Sequence, residues 1–215
     1  MEDVQYDAVG RWYRAPSGAW YPSITTVLRV LSDAGIERWK QRVGREVAAE
    51  ISKHACDRGT AVHAILEEFC LGNPIPPENE EAQWMAGQLM PIIKQRVGKV
   101  YLSESRLISH ALKIAGRCDL VADFDGIPSI VDFKTAKKEK AEDWIVSYFC
   151  QECFYSVAAW QEHRIKATQI VTLIANDVDR PQVFVKQAAD FYPMLKSVRA
   201  RFSKIHGEEP RPALP

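Results

Sequence analysis

Residues 116–134, GRCDLVADFDGIPSIVDFK, constrain this chain more than any other stretch. Two β-rich apolar runs, 118–124 and 127–133, flank Asp125-Gly126. Such a pair between two runs signals a hairpin, because glycine tolerates the positive φ that the turn needs. A two-residue loop sets Phe124 opposite Ile127, Val121 opposite Ile130 and Asp119 opposite Asp132. Counted from the turn, the last pair falls on a rung without mutual hydrogen bonds, its Cβ atoms roughly 4.5–5.5 Å apart. Like charges so placed are destabilising unless they share a proton or a cation. Lys134, two residues past Asp132, falls on the same face. Pro128 fits this register, since its rung needs no amide hydrogen bond across the hairpin. Two carboxylates and an ammonium on one face are the groups of a metal-assisted phosphodiester cleavage site. A solvated face with scattered charges is the plain alternative.

The 215 residues, 47% hydrophobic and 26% charged, suit one globular domain. Lysine plus arginine and aspartate plus glutamate balance at 28 each, so no whole-molecule field attracts a polyanion and any nucleic acid must meet local patches. Five cysteines at irregular spacing point to a reducing compartment rather than a disulfide framework. No apolar run approaches the roughly 20 residues of a membrane span and no signal-peptide core is evident, so the expectation is a cytoplasmic protein with no membrane partner.

Along the chain, Trp12, Tyr13, Trp20 and Tyr21 surround Pro16-Ser17-Gly18, which reads as a small hairpin whose aromatics cover the core. Ser23 is a candidate N-cap for a helix striped by Ile24, Val27, Leu28 and Leu31. A second helix is expected over 35–53, and a third over 57–71 with Asp57 as its N-cap. That start would offer Arg58, Thr60 and free backbone amides to a phosphate. His63 and Glu67 form an i, i+4 pair on one flank of the third helix, where a hydrogen-bonded surface histidine is the plain reading of His63. A fourth helix, 78–97, is built around Trp84, Leu89, Ile92 and Ile93, with a kink at Pro91. Strands follow over 100–110, carrying Glu104, and 112–115, leading into the central hairpin. Lys137 and Lys138 lie just past Lys134, placed to meet a DNA backbone. A long helix over 141–163 sets Gln151 and Tyr155 four residues apart. A buried strand (166–175), a short edge strand opening at Pro181 and a closing helix (187–205) complete the pattern. Residues 208–215 read as a flexible tail.

The order R-G-T-x-x-H, G-x-x-D, D-x-K, Q-x-x-x-Y, preceded by Y-P-S-I-T-T-V-L at 21–28, resembles the PD-(D/E)XK nuclease superfamily. The nearest pattern is its RecB-like branch, with phage exonucleases and the mitochondrial genome maintenance exonucleases. These motifs span about two-thirds of the chain. The resemblance implies a restriction-endonuclease-like α/β core, a mixed central sheet flanked by helices, with a helical N-terminal portion. It implies one nuclease domain over 1–207, divided into 1–98 and 99–207. His63, Asp119, Asp132 and the Phe133 carbonyl would bind Mg²⁺ or Mn²⁺, and Lys134 would orient or activate water or stabilise phosphorane-like charge. Gln151 and Tyr155 would position DNA or the lysine, and Arg58 a phosphate. Glu104 matches a glutamate found upstream in some relatives, and Cys118 stands where the superfamily's name has proline.

The expected function is metal-dependent exonucleolytic cleavage of DNA from single-stranded ends, in replication, recombination or repair in a phage or bacterial setting. A single-strand-annealing or replication protein is a possible partner on the same resemblance. An iron–sulfur cluster is not expected, because only Cys150 and Cys153 follow the site where such relatives need three cysteines. A trimeric lambda-type double-strand 5′-to-3′ exonuclease shares the fold and chemistry. A site-specific endonuclease lacks an added recognition domain here, and a silent DNA-binding module is at odds with an intact His–Asp–Asp–Lys set.

Overall fold

A computed structural model describes residues 3–207; the tail expected at 208–215 lies outside the described residues. Its centre is a five-stranded mixed sheet in the order β4(Val97–Ser109), β5(Ile114–Phe124), β6(Ile127–Ala136), β7(Gln169–Asn176), β8(Gln182–Gln187). Neighbours are antiparallel except β6 and β7, whose parallel pairing is bridged by α5(Val146–His163). One sheet face packs Leu120, Ala122, Phe124, Val131 and Phe133 against α3(Arg45–Leu71) and α4(Glu80–Arg96). The other packs Val121, Ile130, Ile170 and Ile174 against α5 and α6(Ala188–His206). The period-two alternation of the strands therefore becomes two cores.

The central hairpin turns at Asp125 (φ 52°) and Gly126 (φ 78°), positive at both positions as a tight two-residue turn requires. Its pairs include Phe124 with Ile127 and Val121 with Ile130. The expected strands 112–115 and 118–124 are one strand, β5.

The N-terminal residues form a small sheet, β1(Val4–Tyr6), β2(Arg11–Arg14) and β3(Trp20–Pro22), with Trp12, Tyr13, Trp20 and Tyr21 all buried. Ser23 caps α1(Ile24–Leu28) by accepting from the Thr26 amide at 3.0 Å. A 3₁₀ turn leads to α2(Asp33–Val43), which ends at Gly44 (φ 91°).

Here the helix boundaries correct the sequence reading. α3 runs unbroken through 57, so Asp57 caps nothing; it pairs with Lys53 one turn back, Nζ to Oδ2 2.6 Å. An aspartate there looks like a cap, but nothing nearby breaks the helix. The amides at 58–60 are consequently inside a helix rather than free at its start. Trp144, inside the helix expected over 141–163, lies in a short 3₁₀ turn before α5 and is 76% exposed.

Candidate active site

The β5–β6 ladder ends at Leu120 with Val131, one step before the two aspartates. Beyond it the main chain of Phe133 turns to side chains. Its amide donates to Asp119 Oδ2 at 2.9 Å, and its carbonyl lies 2.7 Å from His63 Nε2. A carbonyl only accepts, so Nε2 carries the hydrogen. That leaves Nδ1 directed at Asp119, 3.5 Å from Oδ2.

Glu104 completes this group from the other side. It lies in β4 between the pairs Ser103–Leu120 and Ser105–Cys118, hence across from Asp119. Its φ of 44° is left-handed, a conformation that costs a non-glycine residue about 1–3 kcal/mol and that clusters at functional sites. Ligand atoms of His63, Glu104 and Asp119 all lie within 4.8 Å of one another. Donors on opposite sides of an ion at about 2.1 Å are about 4.2 Å apart, so the three fit one small divalent cation with little movement. Two carboxylates and one imidazole form a mixed oxygen and nitrogen donor set for a divalent cation, and a ligating histidine whose other nitrogen donates to a backbone carbonyl is the usual supporting arrangement. Phe133 O, expected as a ligand, serves here as that supporting acceptor.

Asp132, also expected as a ligand, is not among these three. It is buried beside them, accepting from Gln151 Nε2 at 3.2 Å and paired through Oδ2 with Lys134 Nζ. Burial is the main cause that pushes Asp132 up to about 6, opposed by Lys134 and reinforced by Asp119. Asp119 goes the other way: burial disfavours its charge, but His63 outweighs that and lowers its pKa. Burial likewise opposes the charge on Lys134, yet Asp132 and Asp119 raise its pKa, so it stays an ammonium. The Lys134 nitrogen also sits 5.2 Å from the centroid of the Tyr148 ring. Two neighbouring carboxylates thus differ in proton affinity, the pattern of groups with separate roles.

His63, Glu104, Asp119, Lys134, Gln151, Tyr155 and Thr60 line one cavity of about 470 Å³, together with Arg11 and Thr25. Tyr155 is buried and donates to the Arg117 carbonyl at 2.6 Å, bracing β5. Gln151 and Tyr155 therefore act on the site's own groups. Arg58, expected at a phosphate, instead lies buried between Glu81 (3.2 Å) and Asp177 (3.1 Å), tying α3 to α4 and to the loop after β7. Lys137 and Lys138 are exposed on the segment after β6 and do not line the cavity.

Three residues escaped sequence reasoning. Arg11 carried no motif. Arg117 stands inside G-R-C-D, where only the glycine and aspartate drew notice. Glu152, next to Gln151, is fully buried with the Thr172 hydroxyl donating to it, and a lone acid in the apolar run CQECFY was its signal. Burial, with Asp132 adding, pushes its carboxyl well above the usual range. A carboxyl raised on folding contributes stability at low pH that is lost as pH rises through its folded pKa. Glu152→Gln should therefore melt close to wild type at about pH 4.5, the carboxylate range of the unfolded chain, and gain on it as pH rises above that. A thermal-melting series checks this; a variant less stable at every pH would contradict it.

A mixed sheet parted at its central hairpin, with paired acids and a lysine at the parting, defines a nuclease-type α/β fold. A family model of the PD-(D/E)XK nuclease superfamily matches residues 36–215, and the chain belongs to that superfamily. Among curated proteins it is similar to mitochondrial genome maintenance exonuclease 1 of Homo sapiens, 28% identical over 129 residues, covering 55% of this chain and 38% of that protein. The Mus musculus counterpart is 30% identical over 132 residues, with 55% and 38% covered. The match thus spans well under half of either relative. A solved chain from Eubacterium rectale, provisionally designated an exonuclease, superposes with a TM-score of 0.45 at 11% identity, covering 73% of this chain and 71% of that one.

Proposed function

We propose that this chain is a divalent-metal-dependent deoxyribonuclease that removes nucleotides from single-stranded DNA ends. The observation that carries the reading is the meeting of His63, Glu104, Asp119 and the Lys134 ammonium in one cavity, with Asp132 and Gln151 behind them. His63, Glu104 and Asp119 would hold the cation, which supplies Lewis acidity toward the phosphate and a more acidic water. Lys134, kept charged by its buried carboxylate partners, stabilises negative charge developing on the phosphate rather than acting as a base. Asp132, buried behind the cavity and paired with Lys134, holds the ammonium in place. Gln151 fixes its orientation, and the amide of Phe133 fixes that of Asp119. The relatives named as exonucleases support end-directed action, and His63 with the 21–28 segment favours the branch that acts on single strands.

The test is degradation of 5′- and 3′-labelled single- and double-stranded DNA with Mg²⁺, Mn²⁺ or EDTA. Metal-dependent release of mononucleotides from single strands, abolished by EDTA, is expected, and the label released first gives the polarity. Preference for duplex would move the assignment to the lambda type. Binding without cleavage under either metal would contradict the enzyme and favour a silent module.

A further inference from the structure

Arg117 lies one strand register from the acidic cluster and is held in place from three directions. Its carbonyl accepts from Tyr155, and its Nε sits 3.1 Å from the Glu104 carbonyl and 2.6 Å from Glu104 Oε2. Gly116 before it packs against the Tyr155 ring, so the main chain has little freedom there. Anchoring through Nε leaves the two terminal nitrogens, four N–H donors in a rigid fork, without a partner among the described residues. The side chain is 58% exposed and lines the same cavity as His63 and Asp119.

Arg11, on β2, is a second arginine lining the cavity. Its guanidinium meets the Tyr13 ring at 5.3 Å, has no carboxylate partner among the described residues, and lines the cavity too. Both arginines line the cavity, Arg11 from β2 and Arg117 from β5, and both also lie near the buried Tyr13. A planar fork with free donors matches two oxygens of a phosphate, whereas the ring-stacked Arg11 suits a charge passing over it.

We propose that Arg117 and Arg11 form a phosphate-backbone site at the mouth of the cavity, positioning a single nucleic-acid strand for the acidic cluster. The inference rests on the proposed nuclease reading. Phosphate contacts carry no sequence information, so such a site is independent of sequence, and it gives the strand an entry between β2 and the start of β5. Both are positioning residues: they hold the polyanion, and the cluster cleaves it.

The probe is a fluorescein-labelled oligothymidylate, titrated by anisotropy in EDTA across a salt series. Each phosphate contact on a single strand contributes about 0.7 to the slope of log K against log salt. Arg117→Ala and Arg11→Ala should each weaken binding 5- to 10-fold at low salt and flatten the slope by about 0.7, and the double variant by about 1.4. Arg117→Lys should restore the slope, which a merely structural role would not. Thermal melting of each variant separates misfolding from lost contacts. Wild-type binding with unchanged affinity and slope in both alanine variants overturns the site. Failure of wild type itself to bind or cleave DNA overturns the nuclease reading and the site with it.

Discussion

Asp119→Asn is expected to lower the rate of DNA cleavage by about 10³-fold while leaving the fold intact. Asp119 serves three groups at once: it accepts from the Phe133 amide, faces His63 Nδ1 and belongs to the cluster with Glu104. Asparagine keeps an oxygen for the Phe133 amide and removes the charge. Burial disfavours the Asp119 charge, but His63 outweighs it and lowers the pKa, so the wild-type site carries that charge at neutral pH. Loss of one ligand charge removes several kcal/mol of transition-state stabilisation, and about 4 kcal/mol is three decades of rate. Steady-state cleavage of a labelled oligonucleotide over a Mn²⁺ series measures the effect. Melting within a few degrees of wild type would show that the loss is chemical. A variant within tenfold of wild type would contradict the role assigned to Asp119.

Gly116→Ala should damage the same site through packing alone. A Cβ at 116 would stand 2.8 Å from Tyr155 Cε1, 3.0 Å from its hydroxyl oxygen and 3.1 Å from Ile24 Cγ2. None of the three can yield easily: Tyr155 is 1% exposed with its hydroxyl committed to Arg117, and Ile24 is fully buried. Overpacking of this kind costs about 1–3 kcal/mol. For a chain of this size that is a fall in Tm of about 3–10 °C. The strain falls on the brace between α5 and β5, so cleavage should drop as well. Calorimetry beside the cleavage assay checks both; an unchanged melting temperature would mean that Tyr155 does not brace the strand as described.

What could be read in the sequence was what neighbours in the chain decide. Asp125-Gly126 set the hairpin and its register, Ser23 marked a helix start, and Pro181 marked an edge strand, because each acts within a few residues. The aromatics of the N-terminal sheet were legible as core for the same reason. The lower half of α3 was misjudged because a capping residue type was taken as a helix boundary. Arg58 was misread because Glu81 and Asp177, its partners, come from distant segments that no local pattern announces. The cluster itself was half visible. Of its residues only Asp119 follows from hairpin alternation, as do Asp132 and Lys134 beside it, whereas the left-handed turn of Glu104 and the contact of His63 with Phe133 are tertiary facts. Arg117 shows the difference plainly: its place in the motif is local, but its free donors appear only once Glu104 and Tyr155 have claimed the rest.

The most direct measurement is the cleavage rate of an end-labelled single-stranded oligonucleotide by wild type and Lys134→Ala, side by side in Mn²⁺. In the proposed mechanism Lys134 contributes a charge at the phosphate; it lies outside the His63–Glu104–Asp119 cluster, so its loss spares those three side chains. The account predicts metal-dependent cleavage by wild type and a loss of about 10²–10³-fold in the variant, the size expected for removing one preorganised group that stabilises developing charge. Equal rates would contradict it, because they would place the chemistry somewhere other than the parting of β5 and β6.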